Sequence, residues 1–147
     1  MKIFEVTAKK REYLDLLLLA DEQESMIERY IDRGAMYILD DRGVKAVCVV
    51  TDEGGGVAEI KNIAVLPHFQ RMGYGRRMVE FVKNICRGKY RILRAGTGDS
   101  PLTVPFYEAC GFRRAYTVKN FFVDNYDHPI YEAGVQLKDM VYFQLTL

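Results

Sequence analysis

The chain carries almost no net charge, +1 over 147 residues, so no global field draws it toward nucleic acid or an anionic membrane surface. Cysteine is scarce: Cys48, Cys86 and Cys110 are odd in number and fit neither a disulfide framework nor a zinc site. That usage suits a reducing compartment, and a cytoplasmic protein is expected. The two histidines, His68 and His128, stand in no ligand spacing, and no metal site is expected. Long apolar runs are missing too. Leu16–Ala20 is far too short to cross a bilayer, and the start turns polar by Thr7, which leaves no signal-peptide core. There are no repeats, low-complexity tracts or interdomain linkers, so one domain spanning 1–147 is expected.

What is present is an ordinary globular mixture, 49% apolar and 28% charged, unevenly distributed. Arg71, Arg76, Arg77, Lys83, Arg87, Lys89, Arg91 and Arg94 lie in one stretch with the single acid Glu80. Between Arg11 and Arg33 acids dominate: Glu12, Asp15, Asp21, Glu22, Glu24, Glu28 and Asp32. Two solvated faces account for this pattern. So does a basic side for an anionic cofactor facing an acidic side for a cationic substrate.

Periodicity gives the elements. Met1–Ala8 alternates as a first strand, and Lys9–Ala20 and Asp21–Arg33 read as two helices. Ala35–Leu39 and Val44–Thr51 are strands around the turn Asp40-Asp41-Arg42-Gly43, and Val57–Val65 follows as a third, antiparallel neighbour. After a central helix, Tyr90–Ala95 is a strand parallel to Val57–Val65, because a strand, crossover helix and strand pair in that sense. Thr103–Cys110 is a short helix, Phe112–Val123 a strand, Asn125–Pro129 a loop, and Val135–Leu147 holds the last strand. The fold class is α/β (α+β): a mixed, mostly antiparallel sheet of about six to seven strands with about four helices.

The organising stretch is Val57 to Arg87. Pro67 has no N–H and holds Leu66 extended, so the strand ends there. Gly73 and Gly75 then open a basic amphipathic helix whose first N–H groups have no helical acceptor. Such a terminus seats phosphate or pyrophosphate.

Gln70-Arg71-Met72-Gly73-Tyr74-Gly75 resembles the acyl-CoA pyrophosphate loop of the GNAT superfamily of N-acetyltransferases, whose pattern is Q/R-x-x-G-x-G/A. The strand Glu59–Val65 with Leu66-Pro67 resembles that family's central strand and its exit, and Phe106-Tyr107-Glu108-Ala109-Cys110-Gly111-Phe112 its F/L-Y-x-x-x-G-F signature. The resemblance covers essentially the whole chain and implies acetyl-CoA as cofactor. Main-chain N–H groups of Gln70, Arg71, Met72, Gly73, Tyr74, Gly75 and Arg76 would hold the pyrophosphate. The stretch Ile63, Ala64 and Val65 would pair with the pantetheine arm where the central strand and the Tyr90–Ala95 strand splay apart. Asp99 and Ser100 would lie on the cofactor side, although relatives often carry asparagine where this chain has Asp99.

The implied chemistry is direct attack by an amine on the acyl carbonyl in a ternary complex. It needs a neutral amine, charge stabilisation on the oxygen and a proton for the thiolate. The resemblance gives Tyr107 the last role, against a purely packed tyrosine. It makes Glu59 the base, against a carboxylate that only binds a cation, and the Val65 N–H the donor to the carbonyl oxygen. Cys110 has no base in recognisable spacing and reads as a packed thiol. His68 reads as a surface group in the loop before the cofactor turn.

In such a fold the acceptor pocket would draw on Glu22, Glu24, Glu28, Tyr30, Tyr126, Asp127 and Tyr131. Acids and rings suit a cationic primary amine, a small molecule or a lysine-like peptide side chain. A non-catalytic acyl-CoA sensor of the same fold is the alternative. No nucleic-acid or membrane partner is expected, and the aromatic C-terminal segment suggests a homodimer.

Overall fold

The computed structural model describes every residue from Met1 to Leu147. The chain runs β1 (Lys2–Val6), a 3₁₀ turn (Lys10–Tyr13), α1 (Leu14–Leu17), α2 (Glu24–Ile27), β2 (Ala35–Asp40), β3 (Val44–Gly54) and β4 (Val57–Val65). A second 3₁₀ turn (Pro67–Phe69), α3 (Tyr74–Cys86), β5 (Ile92–Gly98), α4 (Val104–Ala109) and β6 (Arg113–Val118) follow. The last elements are α5 (Phe121–Asn125), β7 (Ile130–Glu132), β8 (Val135–Leu137) and β9 (Met140–Thr146). Seven strands form one sheet in the order β1-β2-β3-β4-β5-β9-β6, and β7 and β8 form a separate hairpin. The α+β class is as the sequence implied, with five helices rather than about four.

The β4–β5 pair is parallel and its neighbours are antiparallel, as read from the crossover helix. Other expected boundaries need correcting. The two N-terminal helices shrink to α1 and α2, each one turn long. The apolar spacing survives because the chain beyond α2 keeps a helical path, with Ile31 N–H on Ile27 O and Gly34 N–H on Tyr30 O. The expected strand Phe112–Val123 ends at Val118 and turns into α5. Asn120 adopts φ 58 there and gives its N–H to Asp139, a conformation asparagine tolerates. The expected last strand splits, with β8 in the hairpin and β9 in the sheet.

Two cores cover the two faces of the sheet. One packs α3 and α4 through Met78, Val79, Val82, Tyr107 and Phe112 onto Ile60, Leu93, Ala95 and Phe143. The other packs α1 and α2 through Leu16, Leu17, Ile27, Tyr30 and Ile31 onto Ile38, Val47, Val49 and Ala64. A small satellite of Phe122, Ile130 and Leu137 gathers α5 and the β7–β8 hairpin. Strand β6 is an edge of the sheet with all its residues exposed. No helix is long and apolar enough to cross a membrane.

Candidate active site

Between β4 and α3 the main chain is turned outward. Arg71 (φ 61) and Gly73 (φ 87) take left-handed conformations, which glycine adopts without strain at the helix N-cap. None of the N–H groups from Arg71 to Arg76 donates to an acceptor within the protein. The first internal bond is Arg77 N–H to Gly73 O. Gly75 serves a different need, because a Cβ there would stand 3.1 Å from the Phe106 ring. Tyr74 Oη donates to Asp41 at 2.6 Å and fastens the helix start to the β2–β3 turn. The result is a row of free donors at the positive end of a helix, a seat for phosphate oxygens.

Beside this turn the sheet opens. β4 and β5 pair only from Val57↔Ile92 to Ile60↔Ala95. Lys61 is the cause: Val49 faces Asn62 while Val50 faces Ile60, so Lys61 is the extra residue of a bulge that bends β4 away. Past the bulge, Leu66 N–H bonds Lys45 O. Ladder alternation then turns the main-chain groups of Ile63 and Val65 toward the opening. Gln70 Nε2 takes the Val65 carbonyl at 3.2 Å, which leaves the Val65 N–H aimed into the gap.

Tyr107 stands on the α3/α4 face of the same core as Ile63 and Val65. Its ring is stacked on Phe143 and met edge-on by Phe106 and Phe112, with centroids 5.3 to 5.7 Å away. The residue is 5% exposed, yet its hydroxyl makes no hydrogen bond in the protein and is not among the sealed, unpartnered polar atoms. A locked ring with a free hydroxyl tip is what a proton donor needs. Burial pushes the phenol well above its ordinary range, so it stays protonated. Lys83 holds α4 in place by donating to the Cys110 carbonyl.

Glu59, 3% exposed, lies at the last paired turns of β4. Arg94 Nε, on the facing residue of β5, reaches it at 2.6 Å, and Lys61 Nζ reaches its other oxygen at 2.7 Å. Glu53 extends the network with Arg33 at 2.8 Å and Arg94 at 3.6 Å. Burial alone would raise the Glu53 carboxyl, but the Thr51 hydroxyl and Arg33 outweigh it and hold the group below its ordinary range. These carboxylates are all neutralised by cations, and the Arg94 guanidinium also lies 5.5 Å from the Tyr142 ring.

A second constellation, on the α1/α2 face, joins three distant segments. Asn62 Nδ2 donates to Leu17 O at 3.0 Å and to Tyr30 Oη at 3.1 Å. Tyr30 Oη donates to Asp21 Oδ2 at 3.0 Å, and Tyr126 Oη donates to Asp21 Oδ1 at 2.6 Å. The Leu17 carbonyl can only accept, which fixes the amide orientation. Asn62 Oδ1 is then left buried without a partner.

A profile of the family described as acetyltransferase (GNAT) domain matches residues 32–114. The chain belongs to the GNAT superfamily. An uncharacterized N-acetyltransferase of Bacillus subtilis strain 168, YvbK, is 33% identical over 141 residues, 92% of this chain and 90% of that protein. A GNAT family acetyltransferase from Elizabethkingia anophelis, solved with acetyl-CoA bound, superposes with a TM-score of 0.94 at 35% identity. That match covers 99% of this chain and 97% of the other. A Bacillus subtilis acetyltransferase in complex with CoA gives a TM-score of 0.87 at 32% identity, over 99% and 98% of the two chains.

Within this GNAT domain the residues singled out from sequence fall into two groups. Ile63, Val65, the Gln70–Arg76 turn and Tyr107 surround one opening on the α3/α4 face, while Glu59 stands at its closed end and Ala64 packs under α1. Tyr30 and Tyr126 meet on Asp21. Others lie apart. Asp99 is exposed and paired with Arg114 at 3.4 Å, while Ser100 is buried and caps Leu102 N–H at 3.0 Å. Glu28 is held by Arg11 at 2.6 Å, Glu24 is exposed, and Tyr131 is 61% exposed on the hairpin. The Cys110 thiol is buried and raised by that burial. His68 is exposed.

Sequence reasoning missed Asp21, Asn62 and Arg94. Asn62 did leave a signal, an amide inside the apolar run Ile60–Val65, and a buried polar group in a core strand demands a partner. Asp21 left none.

Proposed function

We propose that this enzyme transfers the acetyl group of acetyl-CoA to a primary amine by direct attack, the acceptor being a small cationic amine or a lysine-like side chain. The observation that carries the reading is the opening between β4 and β5, with the unpaired Val65 N–H beside the free N–H row of Arg71 to Arg76. The fit to an acyl-CoA is good on two counts. The donor row matches a diphosphate in charge and hydrogen bonding, and the outward-facing edge of Ile63–Val65 offers strand-like pairing to an amide-bearing arm.

When bound, acetyl-CoA supplies an activated acyl carbonyl and a thiol leaving group. The Val65 N–H donates to the carbonyl oxygen as charge builds there, a preorganised dipole. Tyr107 holds the proton that the departing sulfur takes. Glu59 is the base of this scheme. Arg94 and Lys61 each take one of its oxygens, and the remaining lone pairs of the carboxylate are left to accept the amine proton, directly or through a water. Glu59 also ties the bulge residue Lys61 to Arg94 on β5, while pairing with β3 sets the direction of the Val65 N–H. Acids on the acceptor side support a cationic substrate: Asp21 lies where Tyr30 and Tyr126 meet, and Glu22 and Asp127 stand nearby with one histidine, His128, between them.

The test joins calorimetry with CoA to thiol release from acetyl-CoA over a panel of cationic, neutral and anionic amines. CoA binding, and acetylation of the cationic amines in preference to the others, are expected. No CoA binding removes the cofactor site, and equal rates across the panel remove the charge preference.

A further inference from the structure

An ammonium that becomes an amide gives up two protons, one before the nitrogen can attack and one as the C–N bond forms. The sulfur takes up only one, so the other must reach water. Glu59 is poorly placed to pass a proton outward. It is 3% exposed, and Arg94 and Lys61 each hold one of its oxygens.

A second carboxylate stands nearer the surface, on the β7–β8 hairpin. Arg94, Gly96 and Gly98 alternate with the core residues Leu93 and Ala95 and so face the α1/α2 side of β5. Gly96 and Gly98 lie past Ala95, the last residue paired with β4, and so border the opening. Lacking side chains, they let other segments lie close. A Cβ on Gly98 would stand 2.6 Å from Leu137 Cδ1, and one on Gly96 2.8 Å from Met140 Sδ. The hairpin is thereby seated on the acceptor side of β5. Its register puts Ile130, Glu132, Val135 and Leu137 on one face. Ile130 and Leu137 are buried with Phe122, whereas Val135, at the tip of that same face, is 47% exposed. The tip therefore overhangs solvent.

Glu132 is half-buried beneath this overhang, and the turn after it is tight. Ala133 (φ 51) and Gly134 (φ 75) are both left-handed, a two-residue hairpin turn that alanine adopts under strain. Glu132 is thus the last paired residue of β7, and its position is fixed. Burial pushes its carboxyl up, the Ser100 hydroxyl beside it offsets part of that, and no cation acts on it. Ser100 is itself buried and caps Leu102 N–H ahead of α4, the helix that carries Tyr107. Burial is the main reason the Tyr107 phenol is raised, and the charges of Glu132 and Glu59 add to it, so both carboxylates lie near that hydroxyl.

We propose that Glu132 is a catalytic residue that takes the first proton of the incoming ammonium and passes it to water at the mouth of the opening. An N–H bond of the ammonium breaks and an O–H bond forms on the carboxyl, which then protonates water. Glu59 takes the second proton as the C–N bond forms and the C–S bond breaks. Tyr107 gives its proton to the sulfur and is restored by that second one. This role rests on the acetyl-transfer reading above and divides its two proton transfers between two carboxylates.

The experiment compares wild type and Glu132→Gln on two amines of one shape and unequal basicity. Ethylamine is a cation at neutral pH, whereas 2,2,2-trifluoroethylamine is uncharged there and brings no first proton. If another amine of the panel above turns over faster, it and its analogue fluorinated on the same carbon replace this pair. In Glu132→Gln, kcat for the cationic amine should fall on the order of 10²-fold, and kcat for the uncharged amine should stay within about twofold. Equal losses with both amines, or no loss with either, overturn the role. So does a loss confined to KM of the cationic amine, which would leave Glu132 a group that only attracts a cation. These outcomes leave acetyl transfer standing. If CoA binds but no amine of the panel is acetylated, the transfer reading falls and this role falls with it. Thermal melts confirm that the variant folds, with Glu132→Ala as substitute if it does not.

Discussion

The two faces of the sheet do their work with different parts of the chain. On the α3/α4 face, the turn from Gln70 to Arg76 presents main-chain N–H groups, and continuous segments supply every member of the row. On the α1/α2 face the groups are side chains drawn together across the sequence. Tyr126 reaches Asp21 across 105 positions and Asn62 reaches Tyr30 across 32. A ligand common to a whole family can be held by backbone, whose geometry survives side-chain change. A ligand that differs between relatives has to be met by side chains. The contrast makes a definite claim: side-chain edits should be severe where the hydroxyl or carboxylate itself acts, and mild along the turn.

Tyr107→Phe tests it most strongly. The ring keeps its stack on Phe143 and its edge contacts with Phe106 and Phe112, so only the unbonded hydroxyl is lost. The expected fall in kcat is ~10²-fold, about 2.7 kcal/mol of barrier, with melting temperature and CoA affinity unchanged. Stopped-flow thiol release reads the chemical step directly. A kcat within a factor of about two of wild type would return Tyr107 to a packing role.

Glu59→Gln comes next. It leaves Arg94 and Lys61, each 22% exposed in its side chain, without their main counter-charge, and the lost stability is about 2 kcal/mol after allowing for that exposure. Denaturant unfolding measures it. If Glu59 also takes the amine proton, kcat falls further than the change in β4 geometry alone produces. Glu59→Ala in an Arg94→Ala background then separates the roles, because it removes the charge network while testing for residual turnover. Rates equal in the double variant and in Arg94→Ala would strip Glu59 of any proton transfer.

The same division explains what could be read from the amino acids. Pro67, Gly73 and Gly75 mark the strand end and the helix start by local chemistry, and the structure has both where that chemistry requires. The parallel β4–β5 pair followed from the crossover helix. The bulge at Lys61, which creates the opening, has no local signature: Lys61 is an ordinary polar residue in an alternating strand, and only the register against β3 shows that it is extra. Asp21 was invisible for a related reason. It is one of seven acids in its stretch, and what distinguishes it is that the Tyr30 and Tyr126 hydroxyls both donate to it, a meeting that only the folded chain brings about. The break at Asn120 similarly depends on Asp139, a residue that only the folded sheet brings near.

The smallest expected effect is the sharpest on the cofactor side. Met72 sits in the middle of the donor row with its side chain 61% exposed, so sequence conspicuousness and solvent access both make it look like a contact residue. If the row acts through main-chain N–H groups, Met72→Ala removes nothing that touches a diphosphate. CoA affinity should then stay within about twofold and stability within about 0.5 kcal/mol, both read by calorimetry. A tenfold loss of affinity, about 1.4 kcal/mol, would mean that the side chain itself grips the ligand. The turn would then belong with the acceptor face, as a site made of side chains, and the contrast between the two faces would be lost.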